Sequence, residues 1–284
     1  MKFHIISIFP YIFNSYFNEG MLKRAQKNKI IDIKIYNLRD WTADRHKTVD
    51  DAPYGGGAGM VMKVEPIYKA IQHITHNMEH ITKKTPPLTK GAGGISKSAI
   101  ENRQSKIILL SARGKKWNQQ LAKKYSKLNN IILICGRYEG VDERVKKFVD
   151  EEISIGDYVL TGGEIGAMTI VDSITRLLPG VLGNAESAKY ESHSEKGILE
   201  YPQYTRPEIF KIPPLTKARF TRLAIAMAKR AKAIARRGVR GISKIRNSKF
   251  EIRNSTSFRV PKILLSGNHK KIEEWRKKRM KKIK

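Results

Sequence analysis

Residues 131–163, IILICGRYEGVDERVKKFVDEEISIGDYVLTGG, constrain this chain most, because two apolar strands there each empty into a glycine-bearing loop. Continuous apolar strands are buried on both faces, which calls for a largely parallel sheet covered by helices on each side. Glycine lets the main chain approach a ligand closely, so strand ends that meet in this way surround a pocket with backbone amides and carbonyls. The pattern therefore points to a cofactor site at one edge of an α/β sheet.

Reading along the chain, strands are expected at residues 3–9, 31–36, 106–110, 131–135 and 158–160. Helices are expected at 11–28, 65–78, 117–125, 142–148 and 164–177. The segment 50–60, DDAPYGGGAGM, reads as loop, and 83–104, rich in Lys, Thr, Gly, Pro and Ser, reads as a mobile insertion with no core to join.

Charge limits the partners. Among 284 residues, 56 Lys plus Arg stand against 26 Asp plus Glu, a formal net charge of +30. Such an excess is self-repelling without a polyanion, so nucleic acid is the leading partner and an anionic membrane surface the second. No apolar run approaches the roughly 20 residues of a spanning helix, which argues against a membrane protein. The first residues, MKFHIISIFPYIF, read as a first strand rather than a leader. A single cysteine, Cys135, excludes an internal disulfide, fits a reducing cytoplasm, and reads as a small core residue at a strand end.

The basic charge is uneven. Residues 209–250 hold thirteen Lys or Arg and no acid, and the last sixteen residues hold nine more against two glutamates. The expected organisation is a compact α/β domain at 1–185, a linker at 186–205 and a basic C-terminal part at 206–284.

Three glycine loops sit at strand ends: SARG at 111–114, GRYEG at 136–140 and GDYVLTGG at 156–163. None has the terminal Lys-Ser/Thr of a phosphate loop or the spaced triplet of a dinucleotide fold. Each alone reads as a plain turn. Gathered at one sheet edge, they favour a small ligand with an adenosine-like part over ATP or NAD.

Longer motifs carry a resemblance. YGGGAGM at 54–60, ICGRYEGVDERV at 134–145, DEEISIGDYVLTGGE at 150–164, RLLPGVLG at 176–183 and YTRP at 204–207 closely resemble the bacterial tRNA (guanine-N1)-methyltransferases of the SPOUT class. The resemblance runs in order over roughly residues 1–79, 106–212 and 260–277. It implies a SPOUT-type, mostly parallel α/β sheet with a deep trefoil knot, followed by a basic, mainly helical C-terminal part. It also implies that S-adenosylmethionine lies in the knot, wrapped by Leu109, Leu110, Ser111, Gly136, Glu139, Ile155, Gly156, Asp157, Tyr158, Val159, Leu160, Gly162 and Gly163. The alternative for some of these glycines is that they only let the fold close tightly.

The implied reaction is methylation of N1 of guanosine 37 in tRNA, 3′ to the anticodon. Guanine N1 carries a proton and is a poor nucleophile, so transfer there needs a base near N1 and a cation near O6. By resemblance the cation is Arg176 and the base is Glu191. The chain departs from the family at the second position, reading Tyr-Glu-Ser-His where aspartate followed by serine is usual; Glu186, Glu195 or a merely solvated charge are the alternatives. Asp50, Tyr54, Gly55 and Gly59, with Arg45 near them, resemble a loop on the substrate side, or else a glycine turn that only permits packing. Magnesium is invoked for this family, but no acidic cluster is dedicated to it, and His73, His76 and His80 share a helical face without the carboxylate or cysteine that would complete a metal site.

Family membership further implies a homodimer in which one subunit's linker serves the other's cofactor site. Ile165, Met168, Ile170, Val171, Ile174 and Leu178 form an apolar face that suits such an interface. After YTRP the family continues into a segment matched here by residues 260–269, displaced by an insertion at about 214–257, and the chain stops soon after Trp275. The insertion encodes a basic amphipathic helix with Arg222, Lys229 and Arg230 on its polar side, read as a substitute tRNA-binding element or as a solvated extension. Two other functions stay open at this point: an RNA-binding protein weakened in catalysis, and a SPOUT methyltransferase acting on another RNA.

Overall fold

The computed structural model describes residues 1–81, 105–184, 191–195, 197–212 and 256–282. The segment 83–104, Glu186 and the basic helix bearing Arg222, Lys229 and Arg230 lie outside the described residues. The chain divides into two compact units, Met1–Lys196 and Gly197–Lys284.

The first unit contains, in order, β1 (Lys2–Ser7), α1 (Asn14–Phe17), α2 (Gly20–Lys27), β2 (Asp32–Asn37), β3 (Asp50–Asp51), β4 (Val61–Met62) and α3 (Val64–Ile81). It continues with β5 (Ser105–Lys116), α4 (Gln119–Tyr125), β6 (Asn130–Cys135), β7 (Glu151–Ser154) and α5 (Glu164–Thr175). Five strands form one parallel sheet in the order β2-β1-β6-β5-β7. Alternation sends the side chains of each central strand to opposite faces. Ile131, Leu133 and Cys135 pack with Phe3, Ile5 and the apolar faces of α2, α4 and α5. Ile132 and Ile134 pack with Ile6, Leu109 and α3. Both faces are thus covered, which is why the strands read as unbroken apolar runs.

His4 on β1 is one of the polar residues buried with this core, beside Ser7, Ser154, Glu164 and Thr175. It is 5% exposed, its Nδ1 lies 3.0 Å from the Tyr36 hydroxyl, and its Nε2 is buried with no hydrogen-bond partner among the described residues. Burial, reinforced by Lys34, lowers its pKa from 6.5 to about 4. The neutral ring is therefore required in the folded state, and this contribution to stability is complete above pH 6.5 and lost as pH falls toward 4. Between pH 7 and pH 4.5 the loss amounts to about 2.5 kcal/mol. Denaturant unfolding at the two pH values checks it: the drop should shrink by that amount in His4→Asn.

The structure corrects several expected elements. The strand expected at 158–160 is exposed loop, and the fifth strand is Glu151–Ser154. Two adjacent glutamates look unlike a strand, but Lys106 Nζ lies 2.6 Å from Glu151 and Lys146 Nζ lies 3.0 Å from Glu152, so both charges are matched and the backbone is free to pair with β5. The single helix expected at 11–28 is a 3-10 turn at Pro10–Phe13 followed by α1 and α2, interrupted before Gly20, whose φ is +55°. The helix expected at 142–148 is a 3-10 helix, Glu143–Phe148, and the loop at 50–60 closes a short antiparallel ribbon of β3 with β4. Trp117 precedes its helix, because Asn118 accepts from the Leu121 N–H and caps α4. Of the apolar face expected on α5, Ile170, Val171 and Ile174 are fully buried in this unit's own core, while Ile165 is exposed.

The second unit contains β8 (Ile198–Leu199), β9 (Ile209–Ile212), β10 (Thr256–Arg259), α6 (His269–Arg279) and β11 (Lys281–Lys282). β9 pairs antiparallel with β10, and β8 with β11. These ribbons were not expected from a basic, helical composition. No helix of the described residues is long and apolar enough to cross a membrane.

Candidate cofactor site and catalytic pair

The C-terminal ends of β6 and β7 and a bulge in β5 enclose a cavity of about 340 Å³. The bulge arises because Leu110 and Lys115 of β5 both stand opposite Ile153 of β7, so residues 111–114 must loop out. Gly114 closes that loop against the neighbouring strand: a Cβ there would lie 2.5 Å from the backbone of Glu152 and Ile153. The other two glycine loops are fastened to each other. Gly163 N–H donates to the Gly136 carbonyl at 2.9 Å, Arg137 and Gly162 form an antiparallel bridge, and a Cβ on Gly163 would sit 2.8 Å from the Cys135 Cα.

Leu109, Leu110, Ser111, Gly136, Glu139, Ile155, Gly156, Tyr158, Val159, Leu160, Gly162 and Gly163 all line this cavity. Asp157 does not; it turns outward to pair with Lys116 and is 77% exposed. Sequence reasoning passed over Val61, Arg113, Arg137, Tyr138, Val141, Glu143, Lys146 and Glu152, which share the wall. Arg137 and Tyr138 lie between two residues that were singled out, and their position inside the GRYEG loop was the available signal. Glu152 lies in the 150–164 motif, but ahead of its glycine loop, on a strand expected elsewhere. The wall thereby carries both signs of charge: Lys146 bridges Glu143 at 2.6 Å and Glu152 at 3.0 Å, with Arg113, Arg137 and Glu139 around them. Cys135, buried beneath the loops, has its thiol pKa pushed well up by burial and is inert packing.

The segment 54–59 touches this site at one end only. Gly59 backs onto Glu139, whose side chain would collide with any Cβ placed there, and Glu139 N–H donates to the Met60 carbonyl at 3.1 Å. Tyr54 and Gly55 stand in solvent, and Asp50 pairs in the ribbon opposite Met62; none of the three lines the cavity.

Arg176 directly follows α5, and its guanidinium meets the carboxylate of Glu191 in a two-pronged pair, Nη1 to Oε2 at 2.8 Å and Nη2 to Oε1 at 2.5 Å. Paired donors of this kind match a carboxylate in both geometry and charge. The side chains are 35% and 15% exposed respectively. A turn holds Glu191 in place: Ser194 N–H donates to its carbonyl at 3.0 Å, and Lys123 Nζ of α4 donates to the Ser194 carbonyl at 3.0 Å. Glu195 is exposed, so among the described residues Glu191 is the linker carboxylate that reaches Arg176. Neither partner lines the cavity. His73 is occupied by Asn77 and the Trp41 ring, and no group of three His, Cys, Asp or Glu among the described residues is placed to hold a metal.

A parallel sheet with a main-chain-lined cavity at its strand ends defines an α/β protein built to bind a small ligand there. Comparison with known proteins carries this further. Residues 1–237 match the family described as tRNA (Guanine-1)-methyltransferase TrmD. The chain is 43% identical to the tRNA (guanine-N(1)-)-methyltransferase of Dictyoglomus turgidum, over 98% of this chain and 84% of that protein. It is 41% identical to the protein of the same name from Clostridioides difficile, over 98% and 91%. The crystal structure of tRNA (m1G37) methyltransferase from Aquifex aeolicus is similar with a TM-score of 0.60 and 33% identity, covering 97% of this chain and 87% of that one. The chain belongs to the tRNA (guanine-1)-methyltransferase family.

Proposed function

We propose that the cavity binds S-adenosylmethionine and that the protein methylates N1 of guanosine 37 in tRNA, in the cytoplasm and as a homodimer. The observation that carries this reading is the Arg176–Glu191 pair, in which a chain of this family brings together the two groups that methylation at guanine N1 requires. The cavity fits the methyl donor: its volume lies in the ordinary range for small-molecule sites, and its wall offers both carboxylates and cations to a ligand that carries an ammonium, a carboxylate and a sulfonium. When bound, the donor supplies an electrophilic methyl group. The bulged β5 and the mutually fastened loops support the trefoil knot of the SPOUT class as their topology.

Guanine presents an N1–H donor beside an O6 acceptor, the complement of a carboxylate beside a guanidinium. On substrate entry the pair opens, Glu191 accepts the N1 proton, and Arg176 donates to O6, where negative charge gathers as the proton leaves. Glutamate reaches one methylene further than aspartate, and the turn at residues 191–194 sets where its carboxylate ends. In the homodimer the linker of one protomer serves the cavity of its partner, an arrangement supported by neither residue lining its own chain's cavity. Exposed apolar side chains at Phe9, Tyr11, Ile12, Tyr16 and Ile165 offer a face for that contact, and the Tyr16 hydroxyl ties α1 to Asp172 of α5 at 2.7 Å. We assign tRNA phosphates to the basic C-terminal part, with Arg222, Lys229 and Arg230 as contacts. Any magnesium is placed on the RNA or on linker carboxylates.

The test is transfer of labelled methyl to an unmodified tRNA transcript carrying guanosine 37. Label recovered as 1-methylguanosine at that position, and lost in a transcript with adenosine there, is the expected result. Label elsewhere would mean another RNA target, and RNA binding without label would mean a binding protein.

A further inference from the structure

The mechanism leaves one buried charge unused. Glu164, the first residue of α5, is 1% exposed, yet it is ionically paired and each of its carboxylate oxygens accepts a hydrogen bond. Its Oε1 accepts from the Ser7 hydroxyl at 2.7 Å and its Oε2 from Arg137 Nε at 3.0 Å. Arg137 also donates through Nη1 to the Thr161 carbonyl at 3.2 Å and lies 4.6 Å over the Phe9 ring. Phe9 N–H donates to the Ser7 Oγ at 2.9 Å, which closes the chain of contacts into a circuit. It joins the end of β1 to the GRYEG loop and to the last loop before α5. Gly162 leaves the room it occupies, since a Cβ there would meet Arg137 Nε at 2.2 Å and the Glu164 carboxylate at 2.5 Å. Buried charges persist where they are paired and hydrogen-bonded, and a carboxylate in the first turn of a helix gains from the helix dipole.

We infer that Ser7, Glu164 and Arg137 are positioning residues for the methyl donor: the end of β1, which itself lines no part of the cavity, sets the spacing of the two loops that do. This rests on the reading of the cavity as the donor site. The circuit acts through the main chain of residues 136–140 and 161–163, so it governs recognition of the whole donor rather than of one of its charges.

The test uses the full chain and calorimetric titration with two ligands, S-adenosylmethionine and 5′-methylthioadenosine, which keeps the adenosine but lacks the amino-acid group. Arg137→Met and Glu164→Gln are each expected to weaken both ligands by the same factor, on the order of ten-fold. The double variant should be no weaker than the worse single one, because the two residues act through one circuit. Ser7→Ala removes the two hydrogen bonds of the hydroxyl, to Glu164 and from the Phe9 N–H, but leaves the Glu164–Arg137 pair in place, and it should weaken both ligands several-fold in a protein whose thermal midpoint shows it folded. Three results would overturn the inference: folded variants that bind both ligands like wild type, additive losses in the double variant, or a loss confined to S-adenosylmethionine, which would make Arg137 a direct ligand of the donor's carboxylate. If the unaltered protein takes up neither ligand, the donor-site reading falls first and this inference with it.

Discussion

Glu191→Gln is expected to slow methyl transfer by about 100-fold or more, the usual contribution of a positioned general base, while affinity for S-adenosylmethionine stays within about two-fold. Glutamine keeps the size of the side chain and one acceptor for Arg176, so the turn at residues 191–194 keeps its bonds to Lys123 and the main chain. What it loses is the ability to take the N1 proton. Donor binding is spared because glutamine fills the same volume and the change removes only a proton acceptor directed at the guanine, not a group of the donor loops. Single-turnover rates with saturating tRNA, beside donor titrations, separate the two effects. A variant that transfers methyl at the normal rate would remove Glu191 from the mechanism and reopen the choice among the linker carboxylates.

The second large effect is expected at Gly114. Alanine there would place a Cβ 2.5 Å from two backbone atoms of Glu152 and Ile153 and 2.6 Å from a third. Backbone in the middle of a paired strand cannot step aside as a flexible side chain can, so β7 must shift or its pairing with Lys115 and Lys116 must break. Overpacking of this kind costs about 3 kcal/mol, which lowers the melting temperature by on the order of 10 °C in a domain of this size. Since the displaced strand carries the cavity residues Ile153 to Gly156, donor affinity should fall with it. Thermal unfolding and donor titration of Gly114→Ala together test the point. A variant with native melting and native affinity would show that the β5 bulge is more pliable than its geometry implies.

Much of the fold was legible because its signals are local. The apolar runs at 107–110 and 131–135 read as strands buried on both faces, and their glycine-bearing ends, plain turns taken singly, read together as close-approach loops. The same locality explains the errors. Tyr158-Val-Leu160 has strand-like residues but pairs with no strand among the described residues, whereas Glu151 and Glu152 form the strand because Lys106, 45 positions earlier, and the nearer Lys146 neutralise them. Asp157 sits in the motif with the other donor-loop residues, yet its side chain follows Lys116 away from the cavity. The face of α5 that read as suited to a dimer interface is largely consumed by the core beneath it, where Ile170, Val171 and Ile174 are buried.

Composition and spacing by themselves determined a doubly covered parallel sheet, an edge lined by main chain, and a basic C-terminal part, because side-chain periodicity, glycine's freedom and net charge act over a few residues or over the whole chain. The tertiary structure alone decided which polar groups meet. Arg176 finds Glu191 across fifteen positions, and Ser7 finds Glu164 across 157. Pairings over such distances depend on where the chain crosses itself, and a buried carboxylate is tolerated only where those crossings deliver its partners.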